Sequence, residues 1–342
     1  MDFLDLFILA LMPVLKVLLV TAVGLLLAMD RVNLLGPDAR SHLNNMVFYV
    51  FGPALISSNL AETITWESLG TLWFMPVNIL LTLILGSVLG WILIKITRTP
   101  PNLKGLILGC CSAGNMGNLL LIILPELCEE SSSPFGDSST CSTNTEAYAS
   151  LSLAGKVLIF LEKIKQHVNK LTSQIKLKML LAPGTVAAIV GFIIGLVSPL
   201  RKVLIGDSAP LRLIYSSAAL IGEAAIPSIT LIIGANLLKG LRGSAVGAPI
   251  ITGIAVIRFI ILPALGIGIV KAAIHFGMVG SNSLLQFTLM FQYAVPPAMN
   301  IGTISQLLGA GQSECSVIML WTYAFASFFL TLWSALFIWL VT

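Results

Sequence analysis

Charge is what this chain has least of. Asp, Glu, Lys and Arg make up 10% of its 342 residues, and the net charge is only +4. A soluble protein of this length needs far more charge to wet its surface, so much of the 57% hydrophobic content must face lipid. The small positive balance gives nucleic-acid binding no support. Three scattered histidines, His42, His167 and His275, and no Cys/His spacing argue against a metal site. There is no Walker loop, no HExxH helix and no Ser-centred elbow, so no enzyme activity and no cofactor is expected. An Asn-x-Ser/Thr acceptor is also absent, so glycosylation cannot report topology. Of five cysteines, Cys110 and Cys111 sit in an apolar run as small packing residues, and Cys315 has no evident partner. Cys128 and Cys141 flank an acidic stretch and are candidates for a disulfide if that stretch faces an oxidising lumen.

What is abundant is long apolar runs. A helix needs roughly 20 apolar residues to cross a bilayer. By that rule spans are expected near Phe3–Met29, His42–Glu62, Leu69–Ile96 and Leu103–Leu127. Further spans follow near Leu180–Leu200, Ser216–Leu238, Gly247–Ile274, Leu284–Leu308 and Ser316–Val341. A tenth run, Ala147–Leu161, holds Gly155 and Lys156 and is short for a crossing. Cys128 to Ser150 is polar and reads as an exposed loop, with Pro134 and Gly136 as turn formers. Between Lys156 and Lys178 the apolar residues Val157, Leu161, Ile164, Val168, Leu171 and Ile175 recur at helical spacing among six lysines. Such a basic amphipathic helix lies on an anionic cytoplasmic leaflet or serves as a solvated linker.

Lys95, Arg98 and Lys104 put their loop on the cytoplasmic side with the Lys-rich helix, whereas Glu62, Glu67 and the loop after Glu126 belong opposite. The chain then divides into a helical repeat 1–161, a basic linker helix 162–179 and a second repeat 180–342. If Ala147–Leu161 crosses, each repeat has five spans and the second is inverted. That is an architecture of secondary transporters.

Two of the spans are interrupted. Pro296 and Pro297 remove two backbone donors and clash with the preceding turn, and Asn300 and Gly302 follow at once. The fourth span carries Gly114, Asn115, Gly117 and Asn118, so both breaks contain Asn-x-Gly. In hydrocarbon a broken helix persists only where protein or a wet cavity covers it. A pair of such breaks in corresponding halves points to a substrate site, expected at Asn115, Gly117, Asn118, Pro296, Pro297, Asn300 and Gly302. Supporting candidates are Lys16, Arg258, Ser58, Asn59 and Asn236, polar groups within spans. Helix–helix hydrogen bonding without transport accounts equally well for the neutral ones. Half-helix N-termini offer free amides and partial positive charge, which suits an organic anion.

The stretches Gly114 to Asn118, Pro134 to Asp137, Pro296 to Gly302 and Gly311 to Cys315 resemble the plant PIN-LIKES family. So do Asp30-Arg31, Asn44 to Pro53 and Ile233 to Leu238. The resemblance covers nearly the whole chain. It implies an all-α multi-pass protein of the endoplasmic reticulum membrane, similar in fold to the PIN auxin efflux carriers, with ten spans in an inverted five-plus-five repeat. It further implies intracellular carriage of auxin, indole-3-acetic acid, at the crossing of the fourth and ninth spans. The expected partners are an auxin-type carboxylate and the bilayer; a homodimer stays open. One departure stands out: Tyr148 to Gly155 runs straight into Lys156, so the fifth span and central loop look shortened. The alternatives are an ion-coupled carrier of another organic anion and a non-transporting chain that regulates full-length relatives.

Overall fold

Hydrocarbon leaves a backbone no partner but itself, so the apolar runs fold as helices. The computed structural model describes residues 3–130, 133–167, 183–206, 208–241, 246–298, 301 and 312–342. In chain order the helices are α1 (Phe3–Ala28), α2 (Pro37–Met46), α3 (Gly52–Thr63), α4 (Trp66–Leu72), α5 (Phe74–Ile96), α6 (Pro101–Ser112), α7 (Asn118–Glu129) and α8 (Ser138–His167). They continue as α9 (Pro183–Leu196), α10 (Ser198–Leu204), α11 (Arg212–Glu223), α12 (Ala225–Leu241), α13 (Ala248–Val256), α14 (Leu262–His275), α15 (Ser283–Ala294) and α16 (Gln312–Val341). This is an all-helical multi-pass membrane protein. Among the described residues five stretches, Asp5–Ala28, Trp66–Ile96, Arg212–Asn236, Ala248–His275 and Ser313–Val341, are long and apolar enough to cross, and α9 with α10 makes a sixth, bent by 99°. The bend replaces the straight span expected over Leu180–Leu200. Val197 is extended and Pro199 opens α10, so the helix cannot continue in line.

Two spans are wound wider for one turn, at Val47–Phe51 between α2 and α3 and at Ile257–Ile261 between α13 and α14. Each turn precedes a proline, Pro53 or Pro263, whose missing N–H and bulky ring disfavour the ordinary ladder four residues back. At the second, the freed carbonyl of Phe259 accepts from the Trp333 indole at 2.7 Å.

Helices approach closely where side chains vanish. At Gly24 of α1 and Gly234 of α12 a β-carbon would collide with the backbone at Leu231 and Thr21 respectively. Small residues at such crossings are how membrane helices gain packing energy without a hydrophobic drive.

The expected exposed loop over Cys128 to Ser150 is overturned for most of its length. Helix α8 begins at Ser138, nine residues before the expected Ala147, and runs 30 residues, about 45 Å of rise. Asp137 caps it: its carboxylate accepts from the Ser139 hydroxyl at 2.6 Å and the Thr140 amide at 3.1 Å. Those contacts hold the Asp137 carboxyl below the usual carboxylate range. Cys128 and Cys141 are disulfide-bonded and buried, tying the end of α7 to the first turn of α8. Thr145, Ala147, Tyr148, Ala149 and Ser150 are buried too. Polar composition suggested a loop, but small Ser, Thr and Ala side chains pack well against α7, α3 and α5.

Helix α8 is not among the described stretches apolar enough to cross, but it lies along α3. Glu146, near its start, is close enough to feel the charge of Glu62 at the end of α3. Helix α9 runs parallel to α3, Gly184 meeting Ile56 and Gly195 meeting the Ile64 carbonyl. The Lys-rich helix over 162–179 is described only to His167, where it continues α8; its remainder lies outside the described residues.

Candidate functional site

Helix α6 stops at Ser112 because Ala113 turns extended, at φ −90° and ψ 103°. Helix α15 stops at Ala294 ahead of the two prolines, with Val295 extended at φ −73° and ψ 145°. Each break leaves amides and carbonyls that need partners. They find them in one another. The Asn115 amide donates to the Pro296 carbonyl and the Ala298 amide to the Ala113 carbonyl, both at 2.8 Å, with Gly114 opposite Pro297 in an antiparallel bridge. Only glycine fits at 114: a β-carbon there would lie 2.8 Å from Val295 Cγ2 and 3.0 Å from Arg258 Nη1.

Side chains complete the crossing. Asn115 Nδ2 donates to the Tyr323 hydroxyl at 2.8 Å, and that hydroxyl donates to the Pro297 carbonyl at 3.1 Å. Asn115 is 4% exposed, Arg258 fully buried. Arg258 leaves the wide turn between α13 and α14, and its Nε donates to the Cys110 carbonyl at 2.9 Å in the last turn of α6. A cation suits that end of a half-helix. Among the described residues Nη1 and Nη2 have no hydrogen-bond partner. A guanidinium this deep, with donors that no described residue takes up beside two unwound segments, has the chemistry of an anion partner.

A second buried cluster braces the same half-helix. Asn78 of α5 donates to the Leu289 carbonyl at 3.0 Å and to Gln292 Oε1 at 2.8 Å. The Tyr293 hydroxyl donates to Asn78 Oδ1 at 3.0 Å, and Gln292 Nε2 donates to the Ser152 hydroxyl of α8 at 2.8 Å. Asn78, Ser152, Gln292 and Tyr293 are all fully buried. A satisfied polar network of this kind fixes register. It anchors α15 to α5 and α8 just before the double proline.

The expected site residues therefore separate. Asn115, Pro296, Pro297 and Arg258 come together, and Gly117 caps α7 one turn away. Asn118 is the first residue of α7; nothing is described of its side chain. Asn300 and Gly302 lie outside the described residues. The supporting candidates Ser58, Asn59, Asn236 and Lys16 are elsewhere. Ser58 donates back to the Ala54 carbonyl at 2.8 Å within α3, which packs with its neighbour Asn59 chiefly against α9 and α11. Asn236 is exposed on α12 rather than facing a cavity. Lys16, 62% exposed, pairs with Glu126 on α7, so it is an ion-pair partner at the surface. These residues differ from Arg258 only in which way their helix faces, which one-dimensional spacing did not resolve.

Sequence reading missed Tyr323, Asn78 and Ser152 and gave Gln292 and Tyr293 no role. The available signal was their type: an amide or phenol inside a span must find a partner. No group of three or more His, Cys, Asp or Glu is placed to hold a metal among the described residues.

Comparison with known proteins adds an independent line. The chain matches a family model described as membrane transport protein over residues 9–154 and 131–334. It is 47% identical to Protein PIN-LIKES 1 of Arabidopsis thaliana over 383 positions, covering 100% of this chain and 81% of that one. Against Protein PIN-LIKES 3 of the same plant it is 47% identical over 385 positions, 99% of each chain. Protein PIN-LIKES 4 is 44% identical over 415 positions, covering all of both. These alignments exceed the 342 residues here, so the relatives hold segments with no counterpart in this chain.

Proposed function

The chain belongs to the PIN-LIKES family of membrane transport proteins, and on that premise we propose that it carries auxin, indole-3-acetic acid, across the endoplasmic reticulum membrane. The observation that carries the proposal is the buried Arg258 guanidinium, with two nitrogens unpaired among the described residues, against the bridge between Gly114 and Pro297. A carboxylate entering there meets a charged fork, and the half-helix α7 offers its amino end. Asn300 and Gly302, next after the bridge, complete the site in this reading. The substrate's ring is left to the apolar lining.

In this reading an inverted repeat over 1–161 and 180–342 is joined by a basic linker 162–179, and the two broken spans meet at the antiparallel bridge. Alternating access then moves one repeat against the other around the crossing. The Cys128–Cys141 bond supports an oxidising lumen at the α7–α8 end, as an endoplasmic reticulum protein requires. The rival reading of a non-transporting regulator drew on a short fifth span; α8 is 30 residues long but is not among the described stretches apolar enough to cross, so that reading stays as the alternative.

Uptake of radiolabelled indole-3-acetic acid into proteoliposomes tests the proposal, with and without a proton or sodium gradient. Asn115→Ala and Asn300→Ala are each expected to weaken apparent affinity roughly tenfold to a hundredfold, the worth of a charge-assisted hydrogen bond. Pro297→Ala restores a backbone donor and is expected to lower turnover as well. Parent-like uptake by all three, at equal amounts of folded protein, refutes the crossing as the site.

A further inference from the structure

Away from the crossing, at the turn between α5 and α6, lies an open pocket of about 580 Å³ lined by Trp91, Ile94, Lys95, Arg98, Lys104 and Leu108, with Thr99 and Gly105. That volume is of small-ligand size. Its chemistry is two-sided. Lys95, Arg98 and Lys104 are exposed at one end, and Trp91, 58% exposed, with Leu108 forms an apolar flank.

Among the described residues no carboxylate is paired with this positive charge. No Asp or Glu occurs between Glu67 and Glu126. Among the described residues no ion pair is formed by Lys95, Arg98 or Lys104. Lys95 has a local explanation, since its ammonium lies 5.5 Å from the centre of the Trp91 ring and caps the negative end of α5. Arg98 and Lys104 have none. Arg98 is one of two described non-glycine residues with positive φ, at 49°. After this left-handed turn Arg98 and Lys104, on opposite sides of Pro100 and Pro101 in the chain, line the same pocket as Lys95. The turn closes α5 with a left-handed cap, the Thr99 amide donating to the Ile94 carbonyl at 3.2 Å. Trp beside Lys and Arg at a span's end also marks the membrane–water boundary, on the side to which basic loops belong.

We propose that this pocket binds one anionic glycerophospholipid of the cytoplasmic leaflet, its phosphate among Lys95, Arg98 and Lys104 and an acyl chain along Trp91 and Leu108. Charge complementarity selects the headgroup, and the apolar flank selects lipid over a soluble phosphate. The proposal is independent of the carried substrate.

Native mass spectrometry of the full chain in neutral detergent tests it, with dioleoyl phosphatidylinositol 4-phosphate, dioleoyl phosphatidylcholine or inorganic phosphate as probes. The parent is expected to retain one anionic lipid at least tenfold better than phosphatidylcholine. Each Lys95→Gln, Arg98→Gln or Lys104→Gln change is expected to weaken retention about fivefold, the weight of one basic residue near an anionic surface. Gly105→Trp supplies an arm that leaves charge untouched. Nothing lies within 4 Å of a β-carbon there, so the indole fills the pocket and should displace the lipid. Lys202→Gln with Lys271→Gln is expected to change nothing. Equal retention of both lipids, a loss as large in that control pair, or phosphate binding as tightly as the lipid overturns the proposal.

Discussion

Replacing Arg258 by leucine separates binding from folding, because the two should respond in different ways. The side chain is fully buried, makes one hydrogen bond to the Cys110 carbonyl and leaves two nitrogens without partners among the described residues. A permanent charge in mid-span costs about 2.5–3.5 kcal/mol on insertion scales, and leucine removes that cost. Against it stands the Cys110 carbonyl, left unpaired at a cost of about 1–3 kcal/mol. The two nearly cancel, so the melting temperature of Arg258→Leu in detergent should stay within several degrees of the parent. Affinity for a carboxylate has no such offset. Losing the charged fork removes about 1.5–3 kcal/mol, roughly tenfold to a hundredfold in apparent affinity for indole-3-acetic acid. Uptake into proteoliposomes measures this, and binding of indole-3-ethanol, which has the ring but no carboxylate, is the control. The alcohol should bind parent and variant alike. An unchanged uptake curve refutes the assignment of Arg258 to substrate. An equal loss for acid and alcohol shows that leucine has deformed the site instead.

Other perturbations test neighbouring parts of the structure. Tyr323→Phe strands the Pro297 carbonyl and the Asn115 amide, so a stability loss of about 1–3 kcal/mol is expected by thermal melting, with slower uptake. Gly114→Ala pushes a methyl into Val295 and Arg258 and should abolish uptake while leaving helix content by circular dichroism intact. Cys128→Ser with Cys141→Ser opens a loop of sequence separation 13 and should cost about 2–4 kcal/mol; dithiothreitol should lower the parent's melting temperature likewise. Asp137 contributes to the start of α8 only while ionised. Its carboxyl is held below the usual range, so that contribution is complete above about pH 4 and disappears as pH falls through the depressed value. Hydrogen exchange in the first turn of α8 should rise only in that acid window. Cysteine labelling at positions 137 and 170 should proceed from opposite sides of the membrane; reaction from one side would mean that α8 does not cross.

What the sequence determined by itself was whatever depends on composition along one dimension. Long apolar runs demand helices in lipid, basic loops choose a side, and Pro296 with Pro297 cannot sit inside a helix. From those alone come the multi-pass architecture and the places where two spans break. The pairing of Cys128 with Cys141 was legible as a possibility because both flank one stretch. Orientation about a helix axis was not legible. Asn236 and Arg258 are both polar residues within spans, yet one faces outward and the other sits against Gly114. Helix α8 was misjudged at its start because a row of Ser and Thr looks like a loop; Ser138 to Thr140 are exposed, yet the disulfide at Cys141 and the burial from Thr145 onward hold the row as helix. Tyr323 lies 26 residues after the proline whose carbonyl it binds and 208 after the amide it accepts. Only tertiary structure brings those groups together, because a freed backbone carbonyl in a dry interior takes whichever donor the packing places beside it, at any distance along the chain.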